Sequence, residues 1–124
     1  MLKREGMRGW QLQRITAIII FAGLVVHFFL VHWMVPERPL EFKHIARRMS
    51  SGWWFLFDAV LLLAAVYHAL YGTYGIVLDF NPREGTKKTL RFVLAAAGVC
   101  LSAIGILILI RIQTIGRLMA GGGL

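Results

Sequence analysis

The sequence predicts an all-α membrane protein with three transmembrane helices in one domain covering residues 1–124, and three observations carry that expectation. First, 58% of the residues are hydrophobic and mean hydropathy is +0.68, more than a soluble domain of this size could cover with polar surface. Second, residues 15–35, 59–78 and 92–110 contain no Lys, Arg, Asp or Glu. Each run is near the roughly 20 residues a helix needs to cross a bilayer. Third, the runs show no alternating polarity, which excludes barrel strands; helices then remain as the spanning structure that pairs its own backbone groups. Helices are expected over about 14–35, 53–79 and 88–111.

The N-terminal stretch "MLKREGMRGWQLQR" is basic and amphipathic. No small-residue cleavage site follows the first apolar run, so the segment is expected to be retained. In the first connection, "PERPLEFKHIARRMSSG", Pro36 and Pro39 stop helix I and residues 40–49 can form a short interfacial turn. Trp33, Trp53 and Trp54 bracket it as an aromatic belt would. In the second connection, "DFNPREGTKK", Asn81, Pro82 and Gly85 are the breakers. Helix III carries Ala95, Ala96, Ala97, Gly98, Ser102, Ala103 and Gly105, small residues that let backbones approach where lipid gives no hydrophobic drive. That helix reads as structural, and the tail "AGGGL" as frayed.

A formal net charge of +8 is no sign of nucleic acid here, because the basic residues lie just outside the spans, where they meet headgroups and fix orientation. With the N-terminus inside, Lys3, Arg4, Arg8, Arg14, Arg83, Lys87, Lys88 and Arg91 share one face, against Arg38, Lys43, Arg47, Arg48, Arg111 and Arg117 opposite. The balance leans to a cytoplasmic N-terminus. Cys100, the lone cysteine, excludes a disulfide or Cys-ligated cluster built from this chain alone and is expected to be a buried, inert hydrophobe.

The polar residues inside the spans carry the chemistry. His68, Gly72, Gly75 and Asp79 fall at i, i+4, i+7 and i+11, one stripe of helix II. Helix I has a matching stripe of Thr16, Ile20, Gly23 and His27, with Arg14 before it. A flat macrocycle or another backbone could lie on such glycines. If Arg14 and Asp79 lie on the same face, His27 is about 20 Å from the first and His68 about 16 Å from the second, so the rings have comparable depths. Such an imidazole either hydrogen-bonds a neighbouring helix as polar glue or binds a metal such as haem iron, with cations near the propionates. Both readings stay open on pattern alone. His32 reads as a belt residue, His44 as an exposed loop residue, and Asp58 as a cap or a partner of Arg47 or Arg48. Tyr67, Tyr71 and Tyr74 either pack or offer hydroxyls to a ligand. Asp79 is a solvated helix end or, near Arg14, part of proton delivery to a quinone, which gains two protons on two-electron reduction.

Residues 10–101 resemble the membrane-anchor subunits of succinate dehydrogenase and fumarate reductase, the succinate:quinone oxidoreductases. The resemblance rests on "QRITA", on "FDAVLLLAAVYHALYGTYGIVLDF" and on the short basic loop and third span that follow. The family's HAxxG and V-x-x-D-Y signature is met by "HALYG" and "IVLDF". The resemblance implies that His68 is an axial ligand of haem b, with Gly23, Gly72 and Gly75 as haem packing. It places Arg14, Asp79, Trp10 and Tyr74 near haem propionates or quinone. Phe80 stands where the family has tyrosine, so a quinone hydrogen bond must come from elsewhere, such as a partner subunit or Trp10. His27 follows Arg14 and precedes His68 at the spacings of two-haem, menaquinone-type anchors. The resemblance therefore favours two haems b shared with a second anchor subunit, this chain giving one ligand to each; one haem is the alternative. It further implies three helices forming half of a haem-binding anchor bundle, docked beneath an iron–sulfur subunit and a flavoprotein that hold the iron–sulfur clusters and FAD, in a prokaryotic cytoplasmic membrane. The rivals are a cofactor-free structural or assembly subunit, and an anchor cytochrome b of a different dehydrogenase.

Overall fold

The computed structural model describes residues 2–33 and 41–122. They form four helices, α1 (Leu2–Trp33), α2 (Phe42–Met49), α3 (Gly52–Asp79) and α4 (Glu84–Ala120), and no strand among the described residues. Three segments are long and apolar enough to cross a membrane: Met7–Leu30, Gly52–Asp79 and Glu84–Ala120. The all-α, three-span expectation is thus what the chain adopts. The side chains of Lys3, Arg4 and His32, the stop at Pro36 and Pro39, Arg38, and the last two residues of the tail lie outside the described residues.

Two helices run past their apolar segments. α1 begins at Leu2 rather than near residue 14, because the polar N-terminal stretch is rich in good helix formers and contains no proline. α4 continues to Ala120 for the same reason and stops at the glycine tail, where Gly122 turns to φ +76°. With 37 residues, α4 is about 55 Å long, well over the roughly 30 Å hydrocarbon core. α3 ends at Asp79 because Asn81 adopts φ +47° and Pro82 cannot donate the next helical hydrogen bond.

The spans form a layer, not a closed bundle. α3 is central, α1 packs on one side of it and α4 on the other, and α1 and α4 share no contact among the described residues. α2 folds back onto the C-terminal part of α4 and the start of α3. Among the described residues, buried hydrophobic side chains are confined to Ala46, Met49, Ala59 and Ala64. Close approach is made by glycines, as expected where lipid competes equally for apolar surface. A Cβ on Gly98 would meet Leu70 at 2.9 Å, one on Gly105 would collide with Leu62, and one on Gly116 would overlap the Ala46 carbonyl. Of the small residues of helix III, Gly98 and Gly105 are therefore packing positions whereas Ala95, Ala96 and Ala103 lie exposed, and Gly116 seats α2. Cys100, expected to be buried, instead lies exposed on α4, since α4 contacts α3 along only one stripe.

Candidate functional site

His68 projects from α3 against one turn of α1. Its Nδ1 lies 3.2 Å from the Gln13 carbonyl oxygen and 3.3 Å from Thr16 Oγ1. The Thr16 hydroxyl donates to the Leu12 carbonyl at 2.8 Å, so its lone pairs face the ring. A carbonyl cannot donate, so the shared hydrogen belongs to His68 Nδ1. The other ring nitrogen, Nε2, then carries the lone pair that a metal would use. In the opposite direction, Gln13 Nε2 donates to the His68 carbonyl at 3.1 Å. Thr16 is 8% exposed, and Gln13 Oε1 is buried without a partner among the described residues.

Sequence reasoning missed Gln13 and placed Thr16 on the helix I stripe without pairing it to His68. The available signal was their i, i+3 spacing, which puts both on the face of α1 opposite the exposed Arg14. They also explain Gly72: a Cβ there would stand 3.0 Å from Gln13 Nε2, so the glycine makes room for the amide. Gly23 opposes Leu61, at 2.7 Å from its own would-be Cβ, and borders a cavity of about 390 Å³ between α1 and α3. Gly75 has nothing within 4 Å. Two of the three expected haem-packing glycines thus admit neighbouring side chains, and only Gly75 is open.

His27 lies elsewhere. Its Nδ1 sits 3.8 Å from Asp58 Oδ1, beyond hydrogen-bond reach, and is buried without a hydrogen-bond partner among the described residues. Asp58 Oδ2 accepts from Arg48 Nη2 at 3.3 Å, and Arg48 stacks over Trp54 at 5.5 Å. Of the two partners expected for Asp58, Arg48 is therefore the one used. His27 is level with Asp58, and His68 is level with Gln13 and Thr16. The expectation of comparable depths fails: ten residues of α3 separate Asp58 from His68, about 15 Å along the axis. The cause is the register of the α1–α3 seam: Thr16 lies beside His68 and Gln13 beside Gly72, so Arg14 stops more than two turns short of Asp79.

The same register divides the residues expected around a quinone. Arg14 stacks on Trp10 at 4.0 Å, on the α1 side. Tyr74 accepts from Arg91 Nη2 at 3.3 Å, on the α4 side. Asp79 is exposed at the end of α3 and pairs with no described residue. Between α3 and α4 lies a cavity of about 950 Å³ whose polar lining comes from Tyr67, Tyr71, Tyr74, Arg91 and Ser102. Tyr67 and Tyr71 stack in parallel, 5.5 Å apart, and the Tyr71 hydroxyl is tucked over Gly9 of α1. His44 lies 3.9 Å from Glu41 on α2, away from both inner histidines.

No three His, Cys, Asp or Glu side chains converge among the described residues. A haem supplies four nitrogen ligands itself, so one oriented imidazole per face is the protein contribution it requires. His68 fits that demand, with one nitrogen tied back and the other without a partner among the described residues.

An open layer of three long apolar helices with an inner histidine is the form of a helical integral membrane protein. Residues 1–109 match the family described as succinate dehydrogenase/fumarate reductase transmembrane subunit, and the chain belongs to that family. It is 31% identical over 94 residues, 69% of this chain and 78% of the relative, to a succinate dehydrogenase hydrophobic membrane anchor subunit of Archaeoglobus fulgidus. It is 29% identical over 106 residues, 82% of each chain, to a protein of the same description from Coxiella burnetii.

Proposed function

We propose that this chain is a haem b-carrying anchor of a succinate:quinone oxidoreductase, holding the soluble subunits to the membrane and helping electrons reach a quinone. The single observation that carries the haem reading is the His68 ring: its Nδ1–H is spent on α1, which leaves Nε2 as the free base. Bound haem b would supply a one-electron carrier suited to relaying a two-electron oxidation in single steps. His68 would hold one iron and His27 a second, each with its other axial ligand from a second anchor subunit covering the open layer. The axial offset of about 15 Å between the two histidines supports two groups at different depths. Arg14, about level with His68 but on the exposed, opposite face of α1, is the cation proposed for a propionate. In this reading the quinone is menaquinone, the iron–sulfur subunit and flavoprotein dock on the N-terminal side, and the membrane is the prokaryotic cytoplasmic one with the N-terminus inside. The chain itself performs no succinate chemistry.

The division of Trp10 and Arg14 from Tyr74 leaves two quinone positions, and donor geometry favours the Tyr74–Arg91 end of the larger cavity, where two hydrogen-bond donors meet apolar walls. The second reading, a cofactor-free subunit whose His68 simply joins α1 to α3, rests on the same hydrogen bond but gives Nε2 no role. The haem-to-flavin ratio of the intact complex separates them. Two haems per flavin, falling by one in His68→Ala and by one in His27→Ala, is the expected result. One haem untouched by the His27 change would leave the one-haem form, and no reduced b-type band would leave the structural subunit.

A further inference from the structure

We propose that Thr16, with the Gln13 backbone carbonyl, is the positioning device for His68: it fixes the Nδ1–H tautomer and sets the basicity of Nε2. The proposal rests on the haem reading only for its electrochemical consequence; the tautomer follows from this chain alone. Three features converge. Both groups facing Nδ1 act as acceptors, because the Thr16 hydroxyl hydrogen is engaged at 2.8 Å by the Leu12 carbonyl. Thr16 is the one buried polar residue among those described, so its hydroxyl has no water to turn towards. The Gln13 amide, reaching over Gly72 to the His68 carbonyl, locks the sliding of α1 along α3 so that the two acceptors stay level with the ring.

Histidines that bind metals donate their second N–H to an oxygen, and that bond raises the electron donation of the ligating nitrogen. Stronger donation stabilises ferric over ferrous iron, so the midpoint potential of the group on His68 is held down by Thr16. Thr16→Val keeps the shape of the side chain, removes one of the two acceptors and is expected to raise that potential. Thr16→Ser restores the acceptor and is expected to restore the potential. No electron is consumed or supplied by the device; it changes only the relative energies of the two iron states.

The test uses the purified complex. Redox titration should show one haem shifted to higher potential in Thr16→Val, the other unmoved, and wild-type values in Thr16→Ser. Thr16→Val at full haem content with an unchanged potential would overturn the proposal. Loss of haem from Thr16→Val with retention at the wild-type potential in Thr16→Ser supports it, because the hydroxyl is what the wild type and Thr16→Ser share. The haem-independent arm is a nitrogen-15 histidine spectrum of the dithionite-reduced complex, the His68 signals being assigned by their absence in His68→Ala. Protonated Nδ1 is expected, and protonated Nε2 with bare Nδ1 overturns the proposal. Protonated Nδ1 together with full haem in His68→Ala would sink the haem reading and leave the positioning of the ring standing.

Discussion

Gly72 shows how a residue can be conspicuous in a sequence for a reason the sequence hides. Helical spacing places it one turn from His68, which suggests a lane for a flat ligand, yet the atom that needs the space is Gln13 Nε2, 3.0 Å from the would-be Cβ. Spacing reads neighbours within a helix and is blind to which side chain arrives from another. His68 itself was legible, because an imidazole inside a charge-free run demands a partner. Its two acceptors were not, since both belong to α1. Gly72→Leu should therefore break the bond from Gln13 to the His68 carbonyl and overpack the α1–α3 seam, costing about 1–3 kcal/mol. Gly72→Ala, which the flexible amide can accommodate, should cost about 1 kcal/mol or less. Thermal unfolding of the detergent-solubilised complex checks both. Asp58 offers a second case at this scale. Asp58→Leu alone strands the Arg48 guanidinium, whose side chain is 23% exposed, whereas Arg48→Met combined with Asp58→Leu removes both charges. The double variant should be more stable than Asp58→Leu in the same unfolding experiment, because an unpaired half-buried charge costs more than an absent pair.

Helix existence was readable for every span, since three charge-free runs of membrane length leave no other structure. Helix ends were less so. The sequence places polar residues at 2–13 and 111–120 but no proline, and nothing in composition says whether a polar helix continues in water or frays. The continuation of α1 matters, because it holds Gln13, just before the expected start, in the turn that reaches the His68 carbonyl, and carries Gly9 to Tyr71. At the other end, α4 outruns the bilayer and gives α2 a seat at Gly116. α2 buries Ala46 and Met49 there, at 0% and 1% exposure, with basic Arg47 and Arg48 in its last turn where the helix dipole favours cations. Ala46→Leu forces a large side chain into the contact with Gly116 and should lift α2 away. Faster amide hydrogen exchange over residues 42–49, with α3 unchanged, is the expected signature; uniform exchange across all helices would mean a general loss of fold.

At the scale of the whole chain, the layer of three helices accounts for both the scarcity of buried residues and the exposure of Ile18, Phe21, Phe92 and Val99, each more than two-thirds exposed. Sequence composition cannot distinguish such a surface from one that faces lipid, because lipid and partner helices are equally apolar. The polar side chains do distinguish them. Arg14 lies inside the Met7–Leu30 span, about 10 Å along the helix from its start, and pairs with no carboxylate among the described residues. Its stack on Trp10 draws the guanidinium one turn towards the headgroups and no further. A cation at the centre of a spanning helix costs about 2.5–3.5 kcal/mol on insertion scales, and one nearer the end costs less, so Arg14 carries a smaller penalty that a counter-anion on another molecule would offset. Arg14→Leu should lengthen the lifetime of chain expressed without its companions, followed by pulse-chase, while shortening that of the assembled enzyme: the residue that makes solitude unfavourable is the same one that makes company worthwhile.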